Sequence, residues 1–401
     1  MKALKEYELI QQTPIIHFQG KECGATLRAT EVKPKLDRYI LKNFPVKKEW
    51  YLGNEAKKTI SENDSRALNY KIRIEAQGVQ NPLELGIKTP YDIYYGNLGQ
   101  DKKYGVIADK IKFTIVCTNE ELRETIDKCL EGFFFVTNFG TMQNKGFGSF
   151  TVKKKGDGRI DEKKLIDSLK KECGSNKVYR FETKSEEIFT NIKTLYSIMK
   201  SGVNFRGYQR SLLFLFMHEK CGIRNDKAWL KQEGLAPAIC KGINDKGFED
   251  RKRLSGEKAY YVRALLGVGD HIDFLNDTEN KKDKTSIKIS SVGKEIDRSP
   301  SSVFFKVVKI ENETYVYYTG KSIDNRVYGK KFEFTSKKLN TGSFIPQKNT
   351  GTLNIPGKQE LEDKLKKPFI EAFLDYCYHK MSDSNIKKFF NGGKGLEVKV
   401  L

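Results

Sequence analysis

Histidine is scarce in this chain. Among 401 residues only His17, His218, His271 and His379 occur, and no two stand at the spacing of a metal-ligand pair. Cysteine is thin and scattered: Cys23, Cys117, Cys129, Cys173, Cys221, Cys240 and Cys377 lie far apart and form no Cys-x-x-Cys. An odd, dispersed set argues against a zinc cluster and fits reduced thiols in a cytoplasm. Long apolar runs are missing too. The longest, Phe133–Val136 and Leu212–Met217, suit a core and are too short for a signal peptide or a membrane span. No cofactor, metal or membrane partner is expected.

Acid is in deficit: 52 Asp and Glu face 73 Lys and Arg, a net charge of +21. A compact domain carries such self-repulsion more easily when a polyanion neutralises it, and nucleic acid is the favoured candidate. With 38% hydrophobic and 11% aromatic residues, the chain has material for real cores, and its length suits two domains.

Periodicity predicts a strand over 7–13 and a helix over 33–44, with Leu36, Ile40 and Phe44 on one face. Lys35, Arg38 and Lys42 form a basic stripe on another face. Strict alternation predicts strands over 68–76 and 110–117. A capping box, Thr118-x-x-Glu121, opens a second helix expected to end at Gly132, before a short buried strand at Phe133–Val136. The order strand, helix, strand, strand, helix, strand is the ferredoxin-like split pattern. A polar connector at 153–161 places the boundary between domains 1–155 and 156–401. The second half opens with helical patterns over 188–199 and 208–221. Strands are expected over 259–266, 285–290, 303–310 and 314–318, and a helical stretch over 359–390.

The most informative segment is Asn138-Phe-Gly-Thr-Met-Gln-Asn-Lys-Gly-Phe-Gly-Ser-Phe150. Gly140, Gly146 and Gly148 permit turns closed to other residues and let a polyanion approach the main chain. Lys145 supplies charge, Phe147 a face for a base, and Ser149 completes the run; a Gly-rich hairpin with no ligand is the bland alternative. Two nucleotide motifs fail here. Lys145-Gly-Phe-Gly starts like the RNA-recognition octamer, but Ser149 replaces its central aromatic. Thr319-Gly-Lys-Ser322 ends like a P-loop, but Tyr315 stands where its first glycine belongs. Upstream, Arg28 and Lys33 crowd the start of the first helix, where the dipole already favours phosphate.

Together these segments resemble the RAMP superfamily of CRISPR-associated proteins. The resemblance rests on three features: a Gly-containing loop with Arg28 ahead of the helix at Lys33; the Lys145-Gly-Phe-Gly-Ser149 loop; and Ala264-Leu-Leu-Gly267 followed by Arg298-Ser-Pro-Ser-Ser-Val-Phe-Phe-Lys-Val-Val-Lys309. That layout is most similar to the first subunit of the Cmr, or type III-B, effector complex. It implies an α+β fold of two ferredoxin-like (RRM-like) RAMP domains with helical insertions. The implied task is antiviral defence: binding guide RNA, target RNA or both beside other RAMP subunits. The loop departs from the commoner family pattern, because Asn144 rather than a second basic residue precedes Lys145. The resemblance implies RNA contacts at Arg28, Lys33, Lys35, Arg38, Gly140, Lys145, Gly146, Phe147, Gly148 and Ser149. A parallel contact is expected at Arg206 and Arg210 in the second domain.

Two rivals stand beside a non-catalytic binder. One is a RAMP endoribonuclease, for which His17, following the first strand, is the candidate general acid–base group. The other is a protein scaffold whose basic surface is incidental.

Overall fold

The computed structural model describes residues 3–17, 26–53, 66–80, 105–153, 160–203, 209–236, 258–275, 284–293, 296, 298–336 and 346–401. Its first part runs β1 (Leu4–Gln11), α1 (Ala29–Asn43), β2 (Lys71–Gln80), β3 (Ile107–Val116), α2 (Glu120–Val136) and β4 (Phe150–Val152). The strands form an antiparallel sheet in the order β2-β3-β1-β4, with Tyr7 opposite Phe113 and Leu9 opposite Val152. The expected order of strands and helices is realised with β4, rather than Phe133–Val136, as its last strand. On β3, Ile111, Phe113 and Ile115 point into the core while Lys110 and Lys112 stay exposed, as a period of two requires.

One boundary differs from expectation. The residues Phe133–Val136 are the last turn of α2, not a strand, and Gly132 lies inside that helix. Asn119, rather than Thr118, caps it by accepting the Leu122 N–H at 2.9 Å. A side chain at Gly132 would meet the Tyr39 hydroxyl at 2.9 Å, so this glycine admits α1 rather than ending α2. Phe133 and Phe134 fill the core under the first sheet with Val32, Leu36, Ile40 and Ile126. Phe135 and Val136 belong to a second core with Leu165, Leu169, Phe304 and Val308.

The chain continues through α3 (Glu162–Cys173), β5 (Tyr179–Thr183), α4 (Ile188–Lys200), α5 (Leu212–Cys221), β6 (Arg224–Asn225) and α6 (Asp226–Gln232). Then come β7 (Ala259–Tyr260), β8 (His271–Leu275), β9 (Lys284–Ser291), β10 (Val303–Ile310), β11 (Glu313–Gly320), β12 (Lys331–Ser336) and β13 (Thr350–Asn354). The last elements are α7 (Lys358–Leu365), α8 (Phe369–Lys380), α9 (Ser384–Lys387) and β14 (Val398–Val400). The strand expected over 259–266 is confined to Ala259–Tyr260, because Val262–Leu266 is a 3-10 turn. Pro368 divides the expected C-terminal helix and stands at the start of α8, where its missing N–H is harmless.

A second antiparallel sheet has the order β10-β11-β5-β14. Its strands enter as β5, β10, β11 and β14, so the spatial order second, third, first, fourth repeats that of the first sheet. In chain order α4 falls between β5 and β10 and α8 between β11 and β14, and the segment between α4 and β10 is a long insertion. The fold is therefore α+β, with the ferredoxin-like strand order in both sheets.

The chain divides into two compact units. The first comprises Met1–Ile192, Phe304–Thr319 and Val398–Leu401 and carries both of these sheets. The second comprises Lys193–Val303 and Gly320–Glu397 and contains a third sheet, order β13-β12-β9-β8. Within it, Phe216 of α5 packs edge-on against Phe373 of α8, with centroids 5.6 Å apart. Fully buried Asp226 accepts Arg263 Nε at 2.6 Å. Among the described residues no helix is long and apolar enough to cross a membrane.

Candidate nucleic-acid interface

Helix α1 is the element expected to grip phosphate, and most of its cations already have partners. Lys33 Nζ donates to Asp37 Oδ2 at 2.6 Å and to the Leu68 carbonyl at 2.9 Å, and lies 3.9 Å from the Tyr70 ring centroid. Lys35 Nζ donates to Glu31 Oε1 (2.8 Å), Gln143 Oε1 (2.9 Å) and the Asn138 carbonyl (3.1 Å). Lys42 bonds Glu172 at 3.0 Å. The lysines of the basic stripe, Lys35 and Lys42, stitch α1 to neighbouring segments. Arg38 remains exposed, its Nε donating to the Pro34 carbonyl at 3.2 Å. Arg28 stands half-exposed at the N-cap of α1, without a side-chain cap bond.

Burial acts on both members of the Lys33–Asp37 pair. It pushes the Lys33 ammonium below its usual range and lifts the Asp37 carboxyl, which Lys33 in turn pulls back down. Removing Lys33 leaves a carboxylate that is 6% exposed with no cation beside it. Lys33→Met is expected to lower stability near neutral pH by about 3 kcal/mol. Without Lys33 the folded state holds the Asp37 proton more tightly than the unfolded chain does, so the deficit shrinks as pH falls through the raised Asp37 pKa. Chemical denaturation of both proteins, near neutrality and in mild acid, measures this; a deficit constant with pH contradicts it.

The glycine-rich loop 138–149 joins α2 to β4, and it is packed rather than open. Gly140 has φ +76°, and its N–H donates to Glu31 Oε1 at 2.8 Å. A carboxylate of the chain itself thus holds an amide that was expected to meet a phosphate. A Cβ at Gly140 would fall 2.5 Å from the Ile16 carbonyl oxygen, and one at Gly148 only 1.9 Å from that of Phe139. Gly146, φ +83°, faces Ile192 and Val307 methyls at 3.1 Å. Phe147 is fully buried and stacks on Phe189, centroids 3.8 Å apart. It offers no face to a base, a correction to the sequence reading. Ser149 is likewise buried, its Oγ donating to the Val307 carbonyl at 2.7 Å. Lys145 is half-buried, its N–H on the Met142 carbonyl at 2.8 Å.

Beneath the loop lies a residue the sequence reading passed over. Lys306, in the middle of β10, has no exposed surface. Its Nζ donates to the Thr137 carbonyl (3.2 Å), Asn138 Oδ1 (3.2 Å) and the Phe150 carbonyl (3.1 Å). Asn138 Nδ2 donates to the Gln143 and Phe305 carbonyls at 2.7 and 2.9 Å. One ammonium thus ties together both roots of the loop. Burial holds the Lys306 ammonium well below the usual lysine range, while three oxygens match the three donors of its charged form. The signal in the sequence was a single lysine inside Val303-Phe-Phe-Lys-Val-Val308.

His17 follows β1, its Nδ1 3.9 Å from Glu31 Oε2. Burial lowers its pKa, against the pull of Glu31 upward. Its Nε2 is buried with no hydrogen-bond partner. Arg210 is half-exposed just ahead of α5, and Arg206 lies outside the described residues. The structure therefore gathers Glu31, Lys35, His17 and Gly140 into one polar cluster behind the loop and leaves Arg38 outside it.

Two family descriptions cover the chain: the Cmr1 N-terminal domain matches residues 2–203, and the Cmr1 C-terminal domain matches residues 208–394. The chain is also similar to the crystal structure of Cmr1 from Pyrococcus furiosus in its apo form. Identity is 10%, coverage is 99% of this chain and 98% of that one, and the TM-score is 0.40. No curated protein matches it. With both halves matched in order, the chain belongs to the Cmr1 family and is a Cmr1-like subunit of a type III-B CRISPR effector.

Proposed function

We propose that the chain is a non-catalytic RNA-binding subunit, holding guide RNA, target RNA or both within a cytoplasmic ribonucleoprotein that acts in antiviral defence. The observation that carries this reading is arithmetic. If every one of the 52 carboxylates neutralised a cation, 21 of the 73 would still lack a counter-charge within the chain. A polyanion supplies that charge, and RNA is the polyanion of a CRISPR effector. Arg28 at the N-cap of α1 and Arg38 on that helix, together with Arg206 and Arg210, are the proposed contacts. The buried, unpartnered Nε2 of His17 supports a positioning role for this residue rather than proton transfer to RNA, since general acid–base work requires access to the reacting oxygens.

Purification of the tagged chain from its native cell, followed by sequencing of the bound RNA, tests this. Short RNAs carrying CRISPR repeat sequence, recovered uncut, are expected. In vitro, log affinity for single-stranded RNA should fall linearly with log salt, by about 0.7 per neutralised phosphate. Binding that ignores salt points to a scaffold instead, and RNA cleavage abolished by His17→Ala points to an endoribonuclease.

A further inference from the structure

Helix α3 keeps its apolar residues on one side: Leu165, Leu169 and Cys173 are buried, the first two in the second core. On the opposite side Lys163, Asp167 and Lys171 stand exposed at four-residue spacing, about 6 Å per step along a helix. Opposite charges four apart on a helix ordinarily pair with each other. These do not: among the described residues none of the three forms an ion pair or a side-chain hydrogen bond. The charges beside them are already engaged. Lys164 Nζ donates to Glu131 Oε2 of α2 at 2.5 Å, Asp161 caps α3 by accepting the Lys164 N–H at 3.0 Å, and Glu172 accepts Lys42 Nζ at 3.0 Å. A base–acid–base stripe is left over after both flanks of the helix have been tied down.

Beside the stripe lies a hollow of about 380 Å³ between α1 and α3. Two hydroxyls line it without a hydrogen-bond partner among the described residues, those of Tyr39 and Ser168. They converge over Gly132 of α2, where an added Cβ would lie 2.9 Å from the first and 3.4 Å from the second. The Tyr39 ring is half-buried, edge-on to Phe133 at 5.7 Å between centroids. Lys163, Lys164 and Lys171 line the hollow against Asp161, Asp167 and Glu172, so its wall is neutral in a chain of net charge +21. A polyanion gains little from such a wall, because any phosphate drawn to Lys163 or Lys171 also meets Asp167 between them.

We propose that the α1–α3 hollow and the stripe Lys163, Asp167, Lys171 dock a helix of a neighbouring protein subunit. That helix presents acid, base and acid at the same four-residue spacing and sets an anchoring side chain in the hollow against Tyr39 and Ser168. A helix is the fitting partner because only another helix repeats its side chains at this interval along its length. Alternating charge also fixes the register. A slip of one step would set acid against acid and base against base, which costs more than the matched pairs gain. The inference does not depend on RNA binding, and it assigns a role to residues that the sequence reading did not single out.

The test uses the complex purified from the native cell through the tagged full-length chain. A water-soluble carbodiimide joins an ammonium to a carboxylate only where the two touch, and mass spectrometry then identifies the linked peptides. Lys163 and Lys171 are expected to link to two carboxylates eight residues apart on one partner chain. The swap Lys163→Asp/Asp167→Lys keeps the net charge but breaks the stripe. It should recover that partner at least about tenfold less, while unfolding at the wild-type temperature and binding RNA as wild type does. The proposal falls if Lys163 and Lys171 link to no other chain, if ultraviolet light instead joins this helix to RNA, or if the swapped variant keeps its partners in full. If the links form in a complex that holds no RNA, the RNA reading fails and this docking face stands.

Discussion

Gly148→Ala should lose the native fold of the loop, showing as a collapse in soluble yield or a stability loss of at least about 4 kcal/mol. The added methyl would sit 1.9 Å from the Phe139 carbonyl oxygen and 2.8 Å from its carbon. Those atoms cannot retreat, because the Phe139 N–H bonds the Gly148 carbonyl at 2.9 Å and the Gly148 N–H bonds that of Pro14 at 2.9 Å. The left-handed φ of +63° adds a smaller penalty of about 1 kcal/mol for an L residue. Gly148→Asn separates the two effects. Asparagine tolerates the left-handed region but brings the same Cβ, so it should fail equally; rescue by asparagine would show that φ, not the collision, governs the site. Gly146→Ala meets only side-chain methyls at 3.1 Å and should cost less, about 1–3 kcal/mol.

Lys306→Met is the second large effect. Methionine matches the stem but leaves the Thr137 and Phe150 carbonyls and Asn138 Oδ1 without this donor. An orphaned buried acceptor costs about 1–3 kcal/mol, and hydrogen bonds to a charged group contribute about 1.5–3 kcal/mol each. Opposed to this is relief from burying an ammonium, which amounts to several kcal/mol. Three lost bonds outweigh one relieved charge, and a net loss of about 3 kcal/mol is expected from denaturant titration. The pH response identifies the cause. The folded pKa of Lys306 lies well below its usual 10.5, so between the two values the unfolded chain binds more protons and wild-type stability rises with pH. Lys306→Met should lack that rise, and a variant that kept it would assign the alkaline stabilisation to another group.

How much of this was legible in advance depends on whether a segment faces one environment or two. β3 has a core face and a wet face, and its alternation announced it. α2 starts the same way, but its last turn lies between two cores. Phe133-Phe-Phe-Val136 is therefore apolar on every side, and no helical period survives to be read. Its aromatic and β-branched residues favour a strand locally, and Gly132 imitated a stop because nothing in sequence shows Tyr39 across from it. The same blindness affected the site. The glycines of 138–149 are consistent with either an open anion cradle or a tightly packed turn. Only the positions of Glu31, Phe189 and Lys306, distant in sequence, decide between them. The second sheet went unread because its closure depends on β14, three residues long, pairing with a strand more than two hundred positions earlier.

That pairing has a consequence for how the molecule is made. β5 hydrogen-bonds on one side to β11 and on the other to β14, with Val398 opposite Phe181 and Val400 opposite Tyr179. During synthesis the strand Tyr179–Thr183 emerges long before either neighbour and presents two unpaired edges while the intervening segment is translated. Contacts of such separation close slowly, and an open edge is a template for pairing with other chains. A fragment stopping after residue 203, where the N-terminal family match ends, would leave those edges bare permanently. The second sheet can close only after β11 and β14 have been translated, so its first strand waits longest for both partners.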